Sequence, residues 1–190
     1  MTNCKITKSV NSSICSYSVA GARKLYLANF YGPVEGEAAV DGQIAYEFDV
    51  DGYVTAIHLP GDEEFYEVKA SQATLSFTDA LLTGGNGGKY RQHTVNAVLN
   101  QYDIDVLNQG DALSLGEFIA VVIDNSGRIV VLGRTSGLSA PAGGFDYNSG
   151  AAAADATGWT LILQGVSMEI GKLLLNEAVI TPIYSVEVGP

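Results

Sequence analysis

Few residues in this chain have the type and spacing that chemistry requires. Gly87-Gly88-Lys89 has the ending of a phosphate-binding loop. That loop needs a first glycine five positions before the second, and a Ser or Thr after the lysine. Here those positions hold Thr83 and Tyr90, so the stretch reads as a hairpin connection. His58 and His93 have no His or Cys at ligand spacing, which argues against zinc and against a histidine-based triad. No Gly-x-Ser-x-Gly elbow is present. Asp49, Asp51 and Gly52 begin like a calcium loop, but the later ligands and the closing Glu are missing. Nothing nominates a pair of carboxylates for glycoside hydrolysis. The expectation is a protein that is not an enzyme, with no catalytic, cofactor-binding or metal residue.

The elements that would position such groups are mostly strands. Arg23 starts an apolar, aromatic run, Lys24 to Phe30, closed by Gly32-Pro33. Ile44–Phe48 and Tyr53–Ile57 are strand candidates around an Asp51-Gly52 turn. Phe65–Val68 follows, and Ala73–Thr78 alternates as a half-buried strand does. Beyond the glycine loop at 84–88, Thr94–Leu99 resumes the pattern. Residues 102–115 form the one helix candidate, with Asp103 and Asp105 suited to the positive end of its dipole. The clearest hairpin is Phe118–Ile123, the turn Asp124-Asn125-Ser126-Gly127, then Arg128–Leu132. Residues 136–158 are Gly- and Ala-rich and read as a long loop; Trp159–Leu163 is a strand, and the tail from Leu173 to Val188 is apolar. The count predicts a mostly-β sandwich or barrel with a helix packed on it. Residues 1–20, rich in Ser, Asn and Thr, read as an arm, and 21–190 as a single β-rich structural domain.

Composition narrows the function. Of 190 residues, 47% are hydrophobic and only 16% charged, against about 25% charged in typical domains. Mean hydropathy is +0.16. No apolar run reaches the roughly 20 residues of a membrane helix, so no membrane partner is expected. Apolar surface covered by identical subunits is the simplest account. The net charge is −11 and the ten Lys and Arg are scattered. High-affinity nucleic-acid binding needs clustered cations, so the composition argues against a DNA-binding role, though it is compatible with a passage through which DNA slides without sticking. Cys4 and Cys15 lie in the arm, which has no apolar core of a signal peptide, and read as free thiols.

Several segments together resemble structural proteins of bacteriophages. Gly21-Ala22-Arg23-Lys24-Leu25-Tyr26-Leu27-Ala28-Asn29 is similar to the opening strand of phage and prophage proteins from Bacteroidetes. Phe118 to Gly127 with Val131-Leu132-Gly133 resembles their hairpin, Gly137-Leu138 the start of a small-residue loop, and Asp155 to Leu161 the return strand. The order of these segments, over about residues 21–165, carries the resemblance. It implies a tail-tube-like β-barrel or sandwich with one flanking α-helix and long assembly loops. It also implies a ring or tube in the phage tail, or a portal-proximal connector as in crass-like phages. The C-terminus departs from the pattern after Leu163, where a polar stretch rich in Glu and Pro is usual.

The resulting expectation is a virion protein, assembled in the bacterial host cytoplasm, that closes into six- or twelve-fold rings beside neighbouring tail, portal or ring proteins. Loops 84–88 and 136–158 become ordered on assembly, and acids in turns and loops line the DNA passage: Asp41, Asp62, Glu63, Glu64, Asp79, Asp146 and Asp155. Alternatives are a capsid decoration or head-fibre base protein, and a carbohydrate-binding β-sandwich with Tyr17, Tyr26, Tyr31 or Tyr147 as platform.

Overall fold

A computed structural model describes residues 19–36, 42–70, 74–99, 102, 104–152, 155 and 157–184. The expected arm lies outside them except for Val19 and Ala20, as do both cysteines, Tyr17, Asp41, Ala73 and Asp103.

The fold is built around the longest apolar run. Strand β8 spans Glu117–Asp124, and β1, Ala22–Asn29, pairs with it antiparallel along nearly its whole length. On its other edge lies β9, Ile129–Leu132. A run that is apolar at every position, as Phe118–Ile123 of β8 is, must be buried on both faces, and it is. Ile119, Val121 and Ile123 enter one core with Tyr26, Ala28, Ile129 and Val131. Phe118, Ala120 and Val122 enter a second with Leu25, Leu27, Val130 and Leu132. Each fully buried Ile or Val here is worth about 1.5–3 kcal/mol over an exposed one.

The first core is covered by a separate three-stranded sheet: β2 (Pro33–Glu35), β3 (Ile44–Phe48) and β4 (Val54–His58), which contributes Ile44, Tyr46, Val54 and Ile57. It is completed by Phe65, just before β5 (Tyr66–Glu67), and by the apolar C-terminal segment. That segment contains β13 (Lys172–Leu173), paired with β9, and a 3-10 turn at Glu177–Val179. Leu174, Val179 and Ile180 fill the core, and Phe65 N–H donates to Pro182 O at 2.8 Å.

The second core is closed by β6 (Ser76–Thr83), β7 (Lys89–Leu99) and β12 (Gly158–Ser167), through Val95, Ala97, Leu161 and Leu163. These strands belong to the same ten-stranded sheet as β8. The connection is β10 (Leu138–Ser139), which pairs with β8 on one side and β12 on the other. The sheet thus folds back over itself, but its path ends at β13 and at β6, so the barrel is not closed.

The β8–β9 hairpin turns where expected. Asp124 accepts from Ser126 N–H and Arg128 N–H, and Gly127 takes φ +85°. The glycine stretch 84–88 is the hairpin connection between β6 and β7, with Gly84 N–H on Gly88 O at 2.7 Å. Two expectations change. Strand β6 runs on to Thr83, because Ala80, Leu81 and Leu82 pair with Gln92, Arg91 and Tyr90 although their sequence does not alternate. The supposed loop 136–158 contains β10 and also β11 (Phe145–Asn148), which pairs with β12 from Phe145↔Leu161 to Asn148↔Gly158. The partner strand, not the local composition, makes these residues extended. The helix α1, Ile104–Leu115, stands where expected, yet it leans on β10 and β11 with none of its residues buried.

Candidate functional site

The inner faces of β6, β7 and β12 leave the second core and end in a polar cluster. Arg91 Nε donates to Asp79 Oδ1 at 2.7 Å and Arg91 Nη2 to Asp79 O at 2.9 Å. Gly171 N–H donates to Asp79 Oδ2 at 3.0 Å. His93 Nε2 lies 3.4 Å from Asp79 Oδ1, while its Nδ1 accepts from Gly133 N–H at 3.2 Å. Next to them Arg134 forks onto both oxygens of Glu169, and Lys172 Nζ stands 3.8 Å from Glu169 Oε2. The Arg134 guanidinium also lies over the rings of Tyr46 and Phe48, at 5.3 and 5.4 Å.

Ser167, His93 and Asp79 are the residue types of an acyl-transfer triad, but their bonds are wrong for it. His93 Nδ1 is occupied by a backbone N–H. Ser167 Oγ donates to Glu169 O at 3.0 Å and stands 3.1 Å from Thr135 Oγ1. His93 and Ser167 are each 1% exposed, so no substrate reaches them. The cluster instead ties the 167–172 segment to β6, β7 and the chain after β9.

It also makes stability depend on pH. Burial pushes the His93 imidazole below its usual range, against the pull of Asp79. Partial burial opposes ionisation of Asp79, but Arg91 and the Gly171 amide outweigh it and hold the carboxyl below its usual range. Both folded values lie under the unfolded ones, about 6.5 and 3.9, so the unfolded chain takes up more protons as pH falls. The His93 contribution is present above about pH 6.5 and is lost below it; the Asp79 contribution is lost further down, below about pH 4. Urea unfolding at a series of pH values is expected to show both stages. His93→Gln should remove the upper one, and an unchanged slope between pH 7 and 5 in that variant would refute the assignment.

A second cluster lies at the opposite end of β12. Trp159 stacks on Phe145 at 4.7 Å and on Tyr102 at 5.6 Å, and Tyr147 meets both Tyr102 and Trp159. Trp159 Nε1 is buried without a hydrogen-bond partner. Between these rings and α1 runs a groove of about 240 Å³ lined by Leu107, Gly110, Asp111, Ser114, Phe145 and Trp159. Ile104, Leu107 and Leu115 on the helix are exposed, as are Tyr102 and Tyr147.

The residues singled out in the sequence fall elsewhere. Asp49 caps its own turn, accepting from Asp51 N–H and Tyr53 N–H, which leaves a structural role in place of a calcium one. His58 pairs with Glu47 at 2.6 Å beside a cleft of about 330 Å³ between β4 and the 3-10 turn. Among the acids expected in turns and loops, Asp79 is in β6 and bound by Arg91, and Asp146 is in β11. Glu63 accepts from Asn29 and Tyr31, and Asp155 accepts from Ala151 N–H and Ala152 N–H. Tyr26 is buried and cannot serve a sugar platform; Tyr31 and Tyr147 are exposed. Among the described residues no group of His, Cys, Asp and Glu could hold a metal, and no helix is long and apolar enough to cross a membrane.

No family model, curated protein or solved structure matches this chain. The polar cluster and the α1 groove had only a weak trace in the sequence. His93 and Asp79 lie on separate strands, and their meeting depends on the Asp79↔His93 register.

Proposed function

We propose that the chain is a structural subunit that works by assembling with copies of itself into a ring or tube, in a phage tail or portal-proximal connector. One observation carries this reading: the folded-over sheet stops short of closure. Among the described residues, β6 ends the sheet path with no strand on its outer edge. It has eight residues, no proline, and a single charge, Asp79, already bound by Arg91. Soluble proteins normally protect such an edge with charge, proline or a bulge. In a ring the neighbouring subunit covers it, and a contact between unlike surfaces closes when the rotation allows. Exposed Leu81, Val166, Met168 and Ile170 suit the same purpose.

In this reading acids such as the exposed Asp62 and the half-buried Glu64 face the passage, where carboxylates repel phosphate and let DNA slide. The capsid-decoration alternative shares the assembly and differs in where the ring sits. Electron microscopy of the purified protein, alone and with neighbouring tail proteins, tests both parts. A closed ring with an acidic inner wall is expected. Monomers under both conditions would overturn the assembly; a ring with a basic inner wall would overturn the passage.

A further inference from the structure

The α1 face is unusual in its charge as well as in its exposed apolar surface. Residues 92–127 and 135–171 contain five and three carboxylates and not one Lys or Arg; all ten Lys and Arg lie outside them. These two stretches supply every element of the face: the end of β7, Tyr102, α1, β10, β11 and β12. Asp105 and Asp111 on the helix, Asp146 on β11 and Asp155 beyond it are all exposed. The α1 dipole adds to this, since its negative end has no basic residue in the last turn. Among the described residues, the charges carried by the elements that form this aromatic and aliphatic groove are therefore all negative.

We infer that this groove docks a cationic amphipathic segment of another protein. The apolar side of such a segment would lie on Leu107, Phe145 and Trp159, covering Ile104 and Tyr102. Its Lys or Arg side chains would meet Asp105, Asp111 and Asp146, cap the α1 carbonyls, or rest on the open face of Tyr102. The same face of a second copy fits poorly, because two acid-bordered surfaces repel across an interface of low dielectric. The inference is independent of ring assembly, which uses the β6 edge at a different place in the fold.

Trp159 is the chain's one tryptophan, so its fluorescence reports on the groove. The probe is a synthetic amphipathic helix of leucine and lysine, with a leucine–glutamate helix of the same pattern as control, both titrated into the full chain. Saturable change of Trp159 emission is expected with the first peptide alone, weakening as salt rises. The variant Ile104→Ser/Leu107→Ser keeps net charge, and removes no buried side chain because α1 has none. It should bind at least about tenfold more weakly, the scale of a hot-spot truncation. Val50→Ser/Met168→Ser, which removes exposed apolar groups elsewhere, should bind normally. Equal binding by the two variants would reduce the effect to diffuse charge attraction and overturn the inference. So would equal binding of both peptides, no binding of either, or a dimer of the free chain that Ile104→Ser/Leu107→Ser dissolves.

Discussion

Glu169→Ala is expected to lower stability by about 3 kcal/mol, the lower end of the cost of stripping one partner from a buried ion pair, because this pair is largely but not fully buried. The Arg134 and Glu169 side chains are only 12% and 18% exposed. The guanidinium would be left over the Tyr46 and Phe48 rings with no carboxylate to face. It cannot discharge, because arginine stays protonated at any ordinary pH. Lys172 would lose its nearest carboxylate here as well. The double variant Arg134→Met/Glu169→Ala should recover most of the loss, since an apolar residue of similar volume removes the stranded charge. Urea unfolding of the single and double variants separates the cases. A single-variant loss under about 1 kcal/mol would show that solvent reaches Arg134 and screens it, as in surface pairs.

Gly165→Ala is expected to cost about 3 kcal/mol, at the upper end of overpacking effects. A Cβ on Gly165 would stand 2.1 Å from Gly137 O and 3.0 Å from Leu138 Cδ2. The first neighbour is backbone and cannot rotate away. Gly137 is itself held, with φ +67° and the Phe30 ring where its own Cβ would go, at 3.1 Å. The chain entering β10 therefore crosses directly over β12, and β10 is the strand through which the sheet folds back. Gly85→Ala is the control: nothing lies within 4 Å of its Cβ and its φ is not positive, so the change should stay within about 0.5 kcal/mol. Similar melting of the two variants would refute the crossing as a tight contact.

The sequence alone determined the strands whose pattern is local. The β8–β9 hairpin was legible because Phe118–Ile123 is apolar throughout and Asp124 to Gly127 form a turn that caps itself. Helix α1 was legible because residues 102–115 lack sustained β-branched alternation and carry Asp103 and Asp105 near their start. The mostly-β class followed from those segments. Tertiary structure decided the rest, for a common reason. Strands β10 and β11 and the end of β6 become extended only by bonding to a neighbour, so their own residues carry little preference. Asp79 looked like a loop acid because Asp-Ala-Leu-Leu does not alternate; pairing with β7 turned it inward onto Arg91. The α1 groove likewise joins residues some fifty positions apart, Leu107 and Trp159. Period and turn chemistry act over a few neighbouring residues, whereas a register between distant strands is set by the packing of both cores, and that register brought the charged cluster and the aromatic groove together.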